Sequence, residues 1–563
     1  MNKVPPDMLA LQRLYQWEKA PPGPIALTQP MGDGVILDFT WVQVGDQVRR
    51  MATYLKSQGW EPGSKIAILS KNCAWWLMSD LAIWMAGYVS VPLYPTLAPD
   101  TIKQILEHSE AKACFIGKLD DWDKMAPGVP DDLPCMSYPL SPPSAIQRYK
   151  GWETICARSE PTLGQPVRDE GELATLIYTS GTTGQPKGVM HSFGNFAWAL
   201  DKGIERITMS ASDRMLSYLP LAHVVERVLV EHGWLRTGLH LFFAESLDTF
   251  AADLQRARPT IFFSVPRLWV KFQHGVHQKL PPAKLNRLLS IPIIGGLVRR
   301  KVRKALGLDQ CRIAAGGAAP MPVALLAWYR NLGLLINEGY GMTENLAVSH
   351  LTVPGKNQEG SVGPTYKDVD ARIDEKTGEV QMKSEALMLG YFKEPELTRE
   401  AFTADGWLRT GDKGRIDQQG NLWITGRVKD LFKTSKGKYV APAPIEDKLV
   451  MHDAVEACVV TGANLGQPLG IVMLNPDAAA LANSPATRAE LTSSLTKHLS
   501  QINALLDPHE QLKCLVVVTT PWTVENDIIT PTFKVKRSRI EDVYATNYER
   551  WEKSNEKIIW QTN

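Results

Sequence analysis

The sequence has few cysteines and none in a metal-binding arrangement. Its 563 residues contain seven cysteines, an odd number, and no two of them stand in a C-x-x-C spacing. A structural zinc site or a secreted disulfide framework is therefore not expected. The cysteines are predicted to be buried small hydrophobic residues in a reducing cytosol. The chain also has no internal repeat and no low-complexity tract.

An excess of charge of either sign is also missing. Lysine and arginine total 62 against 60 aspartates and glutamates, a formal net charge of +2. Such a chain has no overall field that attracts nucleic acid, so no nucleic-acid partner is expected. The first residues lack the basic-then-apolar pattern of a signal peptide. The apolar stretch 74–95 contains Asp80, Gly87 and two prolines, which favours a buried helix followed by a strand over a membrane span.

What is present is the composition of an ordinary globular protein, 44% apolar and 22% charged, at a length that predicts two to four structural units. Apolar runs alternate with helical patterns, which predicts an α/β protein with much parallel sheet. Strands are predicted within 65–69, 88–91, 113–116, 175–178, 260–265 and 334–337, and helices around 75–84 and 195–207. The proline-rich residues 127–145 lack periodicity, so a surface loop is expected there.

The pattern changes after about Ser361 to short polar strands and turns, such as 378–382 and 420–424. A dense basic stretch, 427–438, follows. The remaining residues, roughly 130, suffice for a small α+β domain. A domain boundary is therefore predicted near Arg427–Lys429.

The strongest functional signal is the segment 178–188, YTSGTTGQPKG, which follows an apolar strand. Its three glycines let the backbone bend tightly and approach a polyanion closely. Its four serine and threonine hydroxyls and its exposed N–H groups can donate to phosphate oxygens, and Lys187 adds a cation. The spacing does not satisfy the Walker A pattern. The segment therefore predicts a phosphate-binding loop of another kind.

This loop resembles the signature loop of the adenylate-forming superfamily, which includes acyl-CoA synthetases, peptide-synthetase adenylation domains and beetle luciferases. Six further motifs follow in the family's order: Leu219–His223, Gly316–Pro320, Glu338–Glu344, Gly406–Asp412, Gly426–Asp430 and Pro531–Arg537. The forms of 221–227, 439–446 and 531–537 resemble the long-chain fatty acyl-CoA synthetase branch. The resemblance covers nearly the whole chain.

The resemblance implies an α/β fold with a large multi-layer N-terminal domain, 1–427, and a small mobile α+β C-terminal domain, 428–563. It implies an enzyme that joins a medium- to long-chain fatty acid to the α-phosphate of ATP with Mg²⁺, and then transfers the acyl group to coenzyme A. Two alternatives stay open, an acyl carrier protein as the acceptor or another carboxylic acid as the substrate. A catalytically weak regulator is disfavoured because the family's charged site residues are all present. The oligomeric state is not predicted.

The resemblance also assigns the nucleotide, metal and thiol positions. The nucleotide- and cofactor-binding residues are Thr179, Ser180, Gly181, Thr182, Thr183, Gly184, Lys187, Gly317, Ala318, Glu338, Gly339, Tyr340, Gly341, Thr343, Asp412, Arg427, Lys429 and Gly437. Thr179 and Glu344 are the expected magnesium ligands, since this hard cation prefers oxygen donors and water. Lys429 matches the hinge position, and Gly437 resembles the glycine that lines the thiol channel.

Three residues are expected to take part in the chemistry itself: Lys534, Glu344 and His223. Lys534 aligns with the catalytic lysine, whose cation stabilises charge in the transition state. Phe533 replaces the glycine that commonly precedes this lysine, so Lys536 remains a competing register. His223 is expected near the acyl carboxylate, although a single histidine is often only a core residue.

Residues 279–305 combine an apolar centre with eight lysines and arginines. This pattern suggests a segment that rests on an anionic membrane surface, where fatty acids partition. An ordinary helical hairpin with a solvated basic face is the alternative. The expected location is therefore the cytosol, with or without peripheral contact to the inner face of the membrane.

Overall fold

The computed structural model describes residues 4–19, 23–180, 185–319, 321–524, 526–530 and 534–561. The chain forms two compact units, each built from more than one stretch of sequence. The first comprises Met1–Ala319, Leu325–Ala371 and Met382–Leu408. The second comprises Pro320–Ala324, Arg372–Gln381 and Arg409–Asn563.

An eight-stranded sheet forms the centre of the first unit. Its strands, in spatial order, are Gly390–Tyr391, Pro186–Ser192, Leu173–Ser180, Val89–Leu93, Lys65–Leu69, Ala111–Ile116, Cys135–Ser137 and Lys150–Gly151. The first two strands join their neighbours in antiparallel pairs, and the remaining pairs are parallel. The strand Lys65–Leu69 lies in the interior of the sheet, and Ile66 through Leu69 are fully buried. Such continuous burial is typical of a strand covered on both faces.

Two four-stranded sheets complete the β-structure of the first unit. One has the order Arg214–Ser217, His240–Phe243, Ile25–Gly32 and Val35–Thr40, and the other has Ile261–Ser264, Ile313–Gly316, Ile336–Tyr340 and His350–Leu351. In the second of these sheets the first three strands are parallel. The carboxyl ends of parallel strands lie at one edge, so residues 316–318 and 339–344 come together there.

Helices pack against these sheets. The α-helices up to residue 401 are Ala10–Trp17, Trp41–Ser57, Ala74–Met85, Pro99–Ser109, Trp122–Met125, Pro143–Arg148, Trp152–Arg158, Phe193–Ile207, Gly233–Thr237, Phe250–Ala257, Pro266–Lys279, Pro282–Leu289, Ile294–Ala305, Val323–Asn331 and Pro395–Ala401. Glu226–His232 forms a π-helix. Short 3₁₀ turns occupy Pro6–Met8, Ala126–Gly128 and Thr343–Asn345.

The second unit is built on its own sheets. The strands Val455–Thr461, Leu469–Leu474, Leu515–Val518 and Ile558–Trp560 form one sheet, and Phe432–Lys433 with Tyr439–Val440 form a two-stranded ribbon. Most of a further sheet, Asp370–Ile373, Glu379–Lys383, Leu408–Ile416 and Leu422–Arg427, also belongs to it. The helices are Ala443–Leu449, Pro476–Leu481, Pro485–Asn503, Arg537–Tyr544 and Tyr548–Lys553, with a 3₁₀ turn at Ala545–Asn547. This mixture is the α+β organisation expected of the C-terminal part.

Most strands and helices predicted from the sequence are present. The apolar stretch 74–95 is a helix, Ala74–Met85, in which every residue is buried, followed by the strand Val89–Leu93. No helix among the described residues is long and apolar enough to cross a membrane. All seven cysteines are free, and six of them are buried.

The prediction of a surface loop at 127–145 is wrong. The segment contains the buried strand Cys135–Ser137 and the start of the helix Pro143–Arg148. A strand of three residues is too short to show a period, and Pro143 stands in the first turn of its helix, where a proline costs no hydrogen bond. Proline therefore marks a helix start here, not a loop.

Candidate active site

The predicted phosphate-binding segment includes the facing ends of two antiparallel strands of the eight-stranded sheet, which together form a β-hairpin. The strands Leu173–Ser180 and Pro186–Ser192 pair with Thr179 opposite Lys187. This register brings a hydroxyl-bearing residue and a lysine to the same end of the hairpin. Gly181, Thr182, Thr183 and Gly184 lie outside the described residues, so their predicted contacts with phosphate stay a prediction.

One tyrosine links the lysine of this hairpin to the predicted metal-binding glutamate. Tyr391 lies on the short strand Gly390–Tyr391, which pairs with Val189 and Met190 of the hairpin. Its hydroxyl donates to Oε1 of Glu344 at 2.8 Å, and Nζ of Lys187 lies 5.6 Å from its ring centroid. Burial and the neighbouring Glu344 carboxylate raise the pKa of Tyr391, so the phenol stays protonated and remains a donor.

Glu344 projects from a turn that buried groups hold in place. The side-chain Oδ1 of Asn345 accepts from the N–H of Met342 at 2.9 Å. Nε2 of His191 lies 2.8 Å from the carbonyl oxygen of Thr343. Burial lowers the pKa of His191 to about 4, so its ring is neutral, and the proton is on Nε2 because a carbonyl only accepts. The carboxylate of Glu344, in a residue 9% exposed, is thus presented from a fixed backbone.

Gly317 and Ala318 follow the strand Ile313–Gly316 and form a tight turn. A Cβ at Gly317 would lie 2.9 Å from the carbonyl oxygen of Gly339, so only glycine fits this close approach. Ala318 has a φ of +68°, a conformation that costs a non-glycine residue about 1–2 kcal/mol. Strained backbone of this kind persists where the surroundings fix it, which is typical of functional turns.

The central motif, 338–344, runs along the strand Ile336–Tyr340 and into the turn. Oε1 of Glu338 accepts from the N–H of Gly360 at 3.2 Å, so this carboxylate also supports the backbone. Tyr340 pairs with His350 on the neighbouring strand, with 6.2 Å between the ring centroids. A Cβ at Gly341 would lie 2.5 Å from Cα of Ala347, and therefore no side chain fits there.

His223 stands just before the π-helix Glu226–His232. Its Nδ1 accepts from the N–H of Val225 at 3.3 Å, and its carbonyl accepts from the N–H of Arg227 at 3.1 Å. Nε of Arg227 lies 2.7 Å from Glu231, and Nη2 of Arg227 lies 2.7 Å from Asp80. All three charged side chains are fully buried. Burial raises the pKa of both carboxyls. The backbone hydrogen bond between Arg227 and His223 joins this buried cluster to His223.

Asp412 and Arg427 form a cross-strand pair in the second unit. The two residues are directly opposite in the strands Leu408–Ile416 and Leu422–Arg427, and Nε of Arg427 lies 3.2 Å from Oδ1 of Asp412. The backbone N–H of Asp412 donates to Oγ1 of Thr410 at 3.1 Å. Asp412 is therefore held in place, while the arginine side chain is 57% exposed.

Lys429 is exposed, but its neighbour Asp430 is anchored. Nε of Arg537 lies 3.0 Å from Asp430, and another arginine nitrogen pairs with Glu446. Glu446 also accepts from the N–H of Val460 at 2.6 Å. The position expected for the hinge thus adjoins an ion-paired cluster, and the lysine itself points to solvent.

Gly437 occupies an exposed turn between the two strands of the ribbon. Its φ is +77°, and its N–H donates to the carbonyl of Thr434 at 2.9 Å. A Cβ here would meet only Cε of Lys433, at 3.7 Å. The turn therefore requires glycine for its backbone conformation and not for lack of space.

Lys534 and Lys536, the two candidates for the catalytic lysine, differ in their surroundings. Lys536 forms an ion pair with Asp527, and its N–H donates to the carbonyl of Ile528 at 2.8 Å. Lys534 is exposed, and its backbone pairs with that of Thr530. The residues 531–533, which include Phe533, lie outside the described residues.

Within the first unit the structure thus brings together Lys187, Tyr391 and Glu344, while Gly317 and Gly339 meet at the end of the parallel strands. Sequence reasoning missed Tyr391 and His191. His191 is buried on the same strand as Lys187, and an alternating pattern places it on the opposite face from the neighbouring Met190 and Ser192. Tyr391 follows a glycine in a stretch without periodicity, and only the strand pairing with Val189 reveals its position.

Comparison with known proteins gives matches over most of the chain. A model of the family described as AMP-binding enzyme matches residues 15–392, and one described as AMP-binding enzyme C-terminal domain matches residues 429–555. Long-chain-fatty-acid–CoA ligase FadD15 of Mycobacterium bovis is 29% identical over 564 residues, covering 92% of this chain and 93% of that protein. Long chain acyl-CoA synthetase 6, peroxisomal, of Arabidopsis thaliana is 30% identical over 578 residues, covering 91% of this chain and 82% of that protein.

Among solved structures, the adenylation domain of a carboxylate reductase from Mycobacterium chelonae matches with a TM-score of 0.81 at 23% identity. The match covers 97% of this chain and 91% of that one. At this identity the likeness concerns the fold. The expected fold class, a large N-terminal domain with a smaller C-terminal one, is confirmed.

Proposed function

Since the chain belongs to the AMP-binding enzyme family, as its motifs indicated, we propose that it activates a medium- to long-chain fatty acid and transfers it to coenzyme A. The fatty carboxylate attacks the α-phosphorus of ATP, and diphosphate leaves. The thiol of coenzyme A then attacks the acyl-adenylate carbonyl, and AMP leaves. The observation that carries this proposal is the pairing of Lys187 and Glu344 through Tyr391 beside the phosphate-loop hairpin. A cation and a metal-binding carboxylate at one site suit a triphosphate.

The donor set around Glu344 fits magnesium. In this proposal Glu344 would contribute one carboxylate and Thr179 one hydroxyl. Mg²⁺ usually binds through one or two carboxylates, keeps several waters, and shares the substrate phosphates. Bound there, it would neutralise charge on the phosphates, while Lys187 and the loop hydroxyls orient them.

The remaining nucleotide contacts are proposed residue by residue. Tyr340 stacks on adenine, with Gly317 and Ala318 along the adenine edge, since close backbone approach suits a flat base. Asp412 accepts from both ribose hydroxyls, because one carboxylate can serve a vicinal diol. Arg427 contacts the ribose or a phosphate, and His223 lies at the acyl carboxylate.

We assign the catalytic lysine to Lys534. Its cation would bridge the fatty carboxylate and the α-phosphate, where two anions must approach each other. The form of residues 531–537, which resembles the long-chain fatty acyl-CoA synthetase branch, supports this choice. Lys429 serves as the hinge between the domains 1–427 and 428–563. Gly437 lines the thiol channel when the C-terminal domain is arranged for thioester formation.

The test is diphosphate release by the purified full chain, with ATP, Mg²⁺ and straight-chain acids of graded length. Diphosphate should be released with medium- to long-chain acids, and thioester should form when coenzyme A is added. Thioester on carrier phosphopantetheine but not on coenzyme A would identify the carrier-loading alternative. No diphosphate with any acid would overturn the proposed reaction.

We further propose that the segment 279–305 contacts an anionic membrane surface. The turn between the helices Pro282–Leu289 and Ile294–Ala305 carries an apolar tip, defined here as Ile291–Leu297. Ile293 is 85% exposed and Leu297 is 64% exposed. No acidic residue lies between Asp253 and Asp309, whereas that stretch has twelve lysines and arginines. Eight of these basic residues lie within 279–305, and exposed aliphatic side chains beside such positive charge suit the headgroup boundary of an anionic bilayer.

Vesicle flotation tests this contact with a matched control. The wild type should float with vesicles that contain phosphatidylglycerol and less with phosphatidylcholine alone, and high salt should weaken the binding. Ile293→Ser with Leu297→Ser should reduce partitioning at least about tenfold, since each loses several buried CH₂ groups. Leu247→Ser, at another exposed leucine, should have no effect. Equal flotation of all variants would overturn the proposal.

A further inference from the structure

The short strand that carries Tyr391 is fixed to the phosphate-loop hairpin by its backbone. The N–H of Leu389 donates to the carbonyl of Met190 at 2.9 Å, and the N–H of Phe392 donates to the carbonyl of Gly188 at 2.8 Å. The N–H of Tyr391 itself donates to Oγ1 of Thr398 at 2.9 Å. These bonds fix the Tyr391 side chain relative to the strand on which Lys187 stands.

Tyr391 makes two different kinds of contact with the charged groups of the site. Its hydroxyl donates to the Glu344 carboxylate at 2.8 Å, a charge-assisted hydrogen bond. Its ring face receives the Lys187 ammonium, which lies 5.6 Å from the centroid. The backbone of Glu344 is tied to the same segment, because its carbonyl accepts from the N–H of Met388 at 2.8 Å.

These contacts leave part of each charged group available. The hydroxyl engages one carboxylate oxygen, and a carboxylate has two oxygens with several lone pairs. In a cation–π contact, the N–H groups of the ammonium that point away from the ring can still donate to another group. The tyrosine can therefore hold both groups in place although neither contact occupies the whole of its charged group.

We infer that Tyr391 is the positioning residue of the triphosphate end of the site, which sets the orientation of Glu344 through its hydroxyl and that of Lys187 through its ring. The inference rests on the proposed function, since it takes Glu344 as the magnesium carboxylate. The hydroxyl contact and the ring contact of Tyr391 are separable. The hydroxyl serves the metal carboxylate, and the ring serves the phosphate-binding lysine.

Two substitutions separate the contacts. Tyr391→Phe keeps the ring face and removes the hydroxyl, so the Mg²⁺ concentration for half-maximal diphosphate release should rise about tenfold, the usual cost of losing a hydrogen bond to a charged group. At saturating Mg²⁺ its kcat should stay near that of the wild type. Tyr391→Leu also removes the ring, so its KM for ATP should rise as well.

A binding measurement accompanies the kinetics. Mn²⁺ replaces Mg²⁺, and the free ion is followed by electron paramagnetic resonance in the presence of ATP and without fatty acid. Tyr391→Phe should weaken Mn²⁺ binding by about the same tenfold factor. Phe392→Leu is the matched control, because Phe392 directly follows the strand and packs instead on His108 and Lys65. It should bind Mn²⁺ as the wild type does.

The outcomes distinguish this inference from the proposed function. Wild-type Mn²⁺ affinity and Mg²⁺ dependence in Tyr391→Phe, with weakened binding in Glu344→Gln, would overturn the role of Tyr391 alone. Wild-type Mn²⁺ affinity in Glu344→Gln would overturn the magnesium assignment itself. Equal losses of Mn²⁺ affinity in Tyr391→Phe and Phe392→Leu would mean that either substitution disturbs the local structure in the same way, which also contradicts the inference.

Discussion

The two units hold their predicted site residues in different ways. In the first unit, buried partners fix the polar residues: Tyr391 holds Glu344, His191 holds the carbonyl of Thr343, and a backbone hydrogen bond joins the Arg227 cluster to His223. In the second unit the predicted cations, Lys429 and Lys534, project from exposed backbone. Buried partners suit a site whose charged groups must keep one arrangement, because groups that are already in place need no reorganisation during the reaction.

The exposed cations suit a different task. In the proposed reaction the catalytic lysine is required for adenylation and must not obstruct the thiol in the second half-reaction. A lysine on exposed backbone can serve one step and withdraw for the next, with a few backbone dihedrals changing near the hinge. If the proposed reaction holds, the comparison separates residues that are held in place from residues that would move between the two half-reactions.

The largest expected effect concerns two arginines, each held by two carboxylates. Arg227→Met would leave Asp80 and Glu231 buried without a cation, and the free energy of unfolding should fall by about 3–5 kcal/mol. Arg537→Met removes the partner of Asp430 and Glu446 at a site where the arginine is 26% exposed. Water can solvate that cluster, so a loss of only about 1–2 kcal/mol is expected.

Chemical denaturation measures both arginine variants. Fluorescence and circular dichroism should be followed together, because the two units need not unfold in one transition. A third variant, Lys103→Met, removes an exposed i,i+4 pair with Glu107 and should change stability by less than about 0.5 kcal/mol. Equal losses in Arg227→Met and Arg537→Met would contradict the difference drawn between the units.

The second prediction concerns Lys534, the proposed catalytic lysine. Lys534→Ala should slow adenylation by about 100- to 1000-fold, the cost of losing a group that stabilises transition-state charge. Thioester formation from pre-made acyl-adenylate should stay near the wild-type rate, and the melting temperature should not change, because the side chain is exposed. Lys536→Ala, which removes only the pair with Asp527, is the matched control.

Single-turnover kinetics of the two half-reactions separate these lysine variants. Loss of thioester formation in Lys534→Ala, with adenylation intact, would show that the lysine acts in the other step. A larger adenylation defect in Lys536→Ala would transfer the catalytic assignment to that residue.

The third prediction uses the turn at Gly437. With φ at +77°, any L-residue there is strained by about 1–2 kcal/mol, although a Cβ has room. Gly437→Ala should therefore slow thioester formation several-fold and leave adenylation unchanged, if the turn lines the thiol channel. Gly420→Ala, in another exposed turn with φ at +81°, carries the same strain and should leave both steps unchanged. Equal effects of the two substitutions on thioester formation would refute a special role for Gly437.

The sequence predicted the elements whose pattern is local. The buried helix Ala74–Met85, the strand before the glycine-rich loop and the short strands after residue 378 follow from periodicity and turn residues. The strand Pro186–Ser192, which pairs with the strand before the loop, was not predicted. Membership of the family follows from seven ordered motifs and is confirmed. The predicted site residues and the domain border at Arg427–Lys429 stay predictions.

Contacts between residues distant in sequence could not be predicted in this way. Tyr391 reaches Glu344 across 47 positions, and His191 reaches Thr343 across 152, through strand pairing and burial that no local pattern encodes. Cys135–Ser137 gave no signal because three residues complete no period. The buried ion cluster around Asp80 could not be predicted either, because the sequence shows this residue only as a polar interruption in an apolar stretch.

The last prediction is a pH dependence of stability. Burial raises the pKa of Glu226 to about 8, and its Oε1 accepts from Ser217 and from the N–H of Tyr218. Between its unfolded value of 4.5 and about 8, the folded state keeps a proton that the unfolded state loses. Stability should therefore fall as pH rises through this window, by at most about 1.4 kcal/mol per pH unit, and level off above it.

Glu226→Gln keeps the acceptor oxygen and removes the titration, so denaturation curves from about pH 5 to about pH 9 should show the wild type losing stability relative to this variant. Asp447→Asn extends the test to the second unit. Burial raises the pKa of Asp447 to about 7, so its window should close about one pH unit earlier. A stability difference between wild type and Glu226→Gln that does not change with pH would mean that this carboxyl is ionised in the folded protein, because only a proton retained on folding produces the slope.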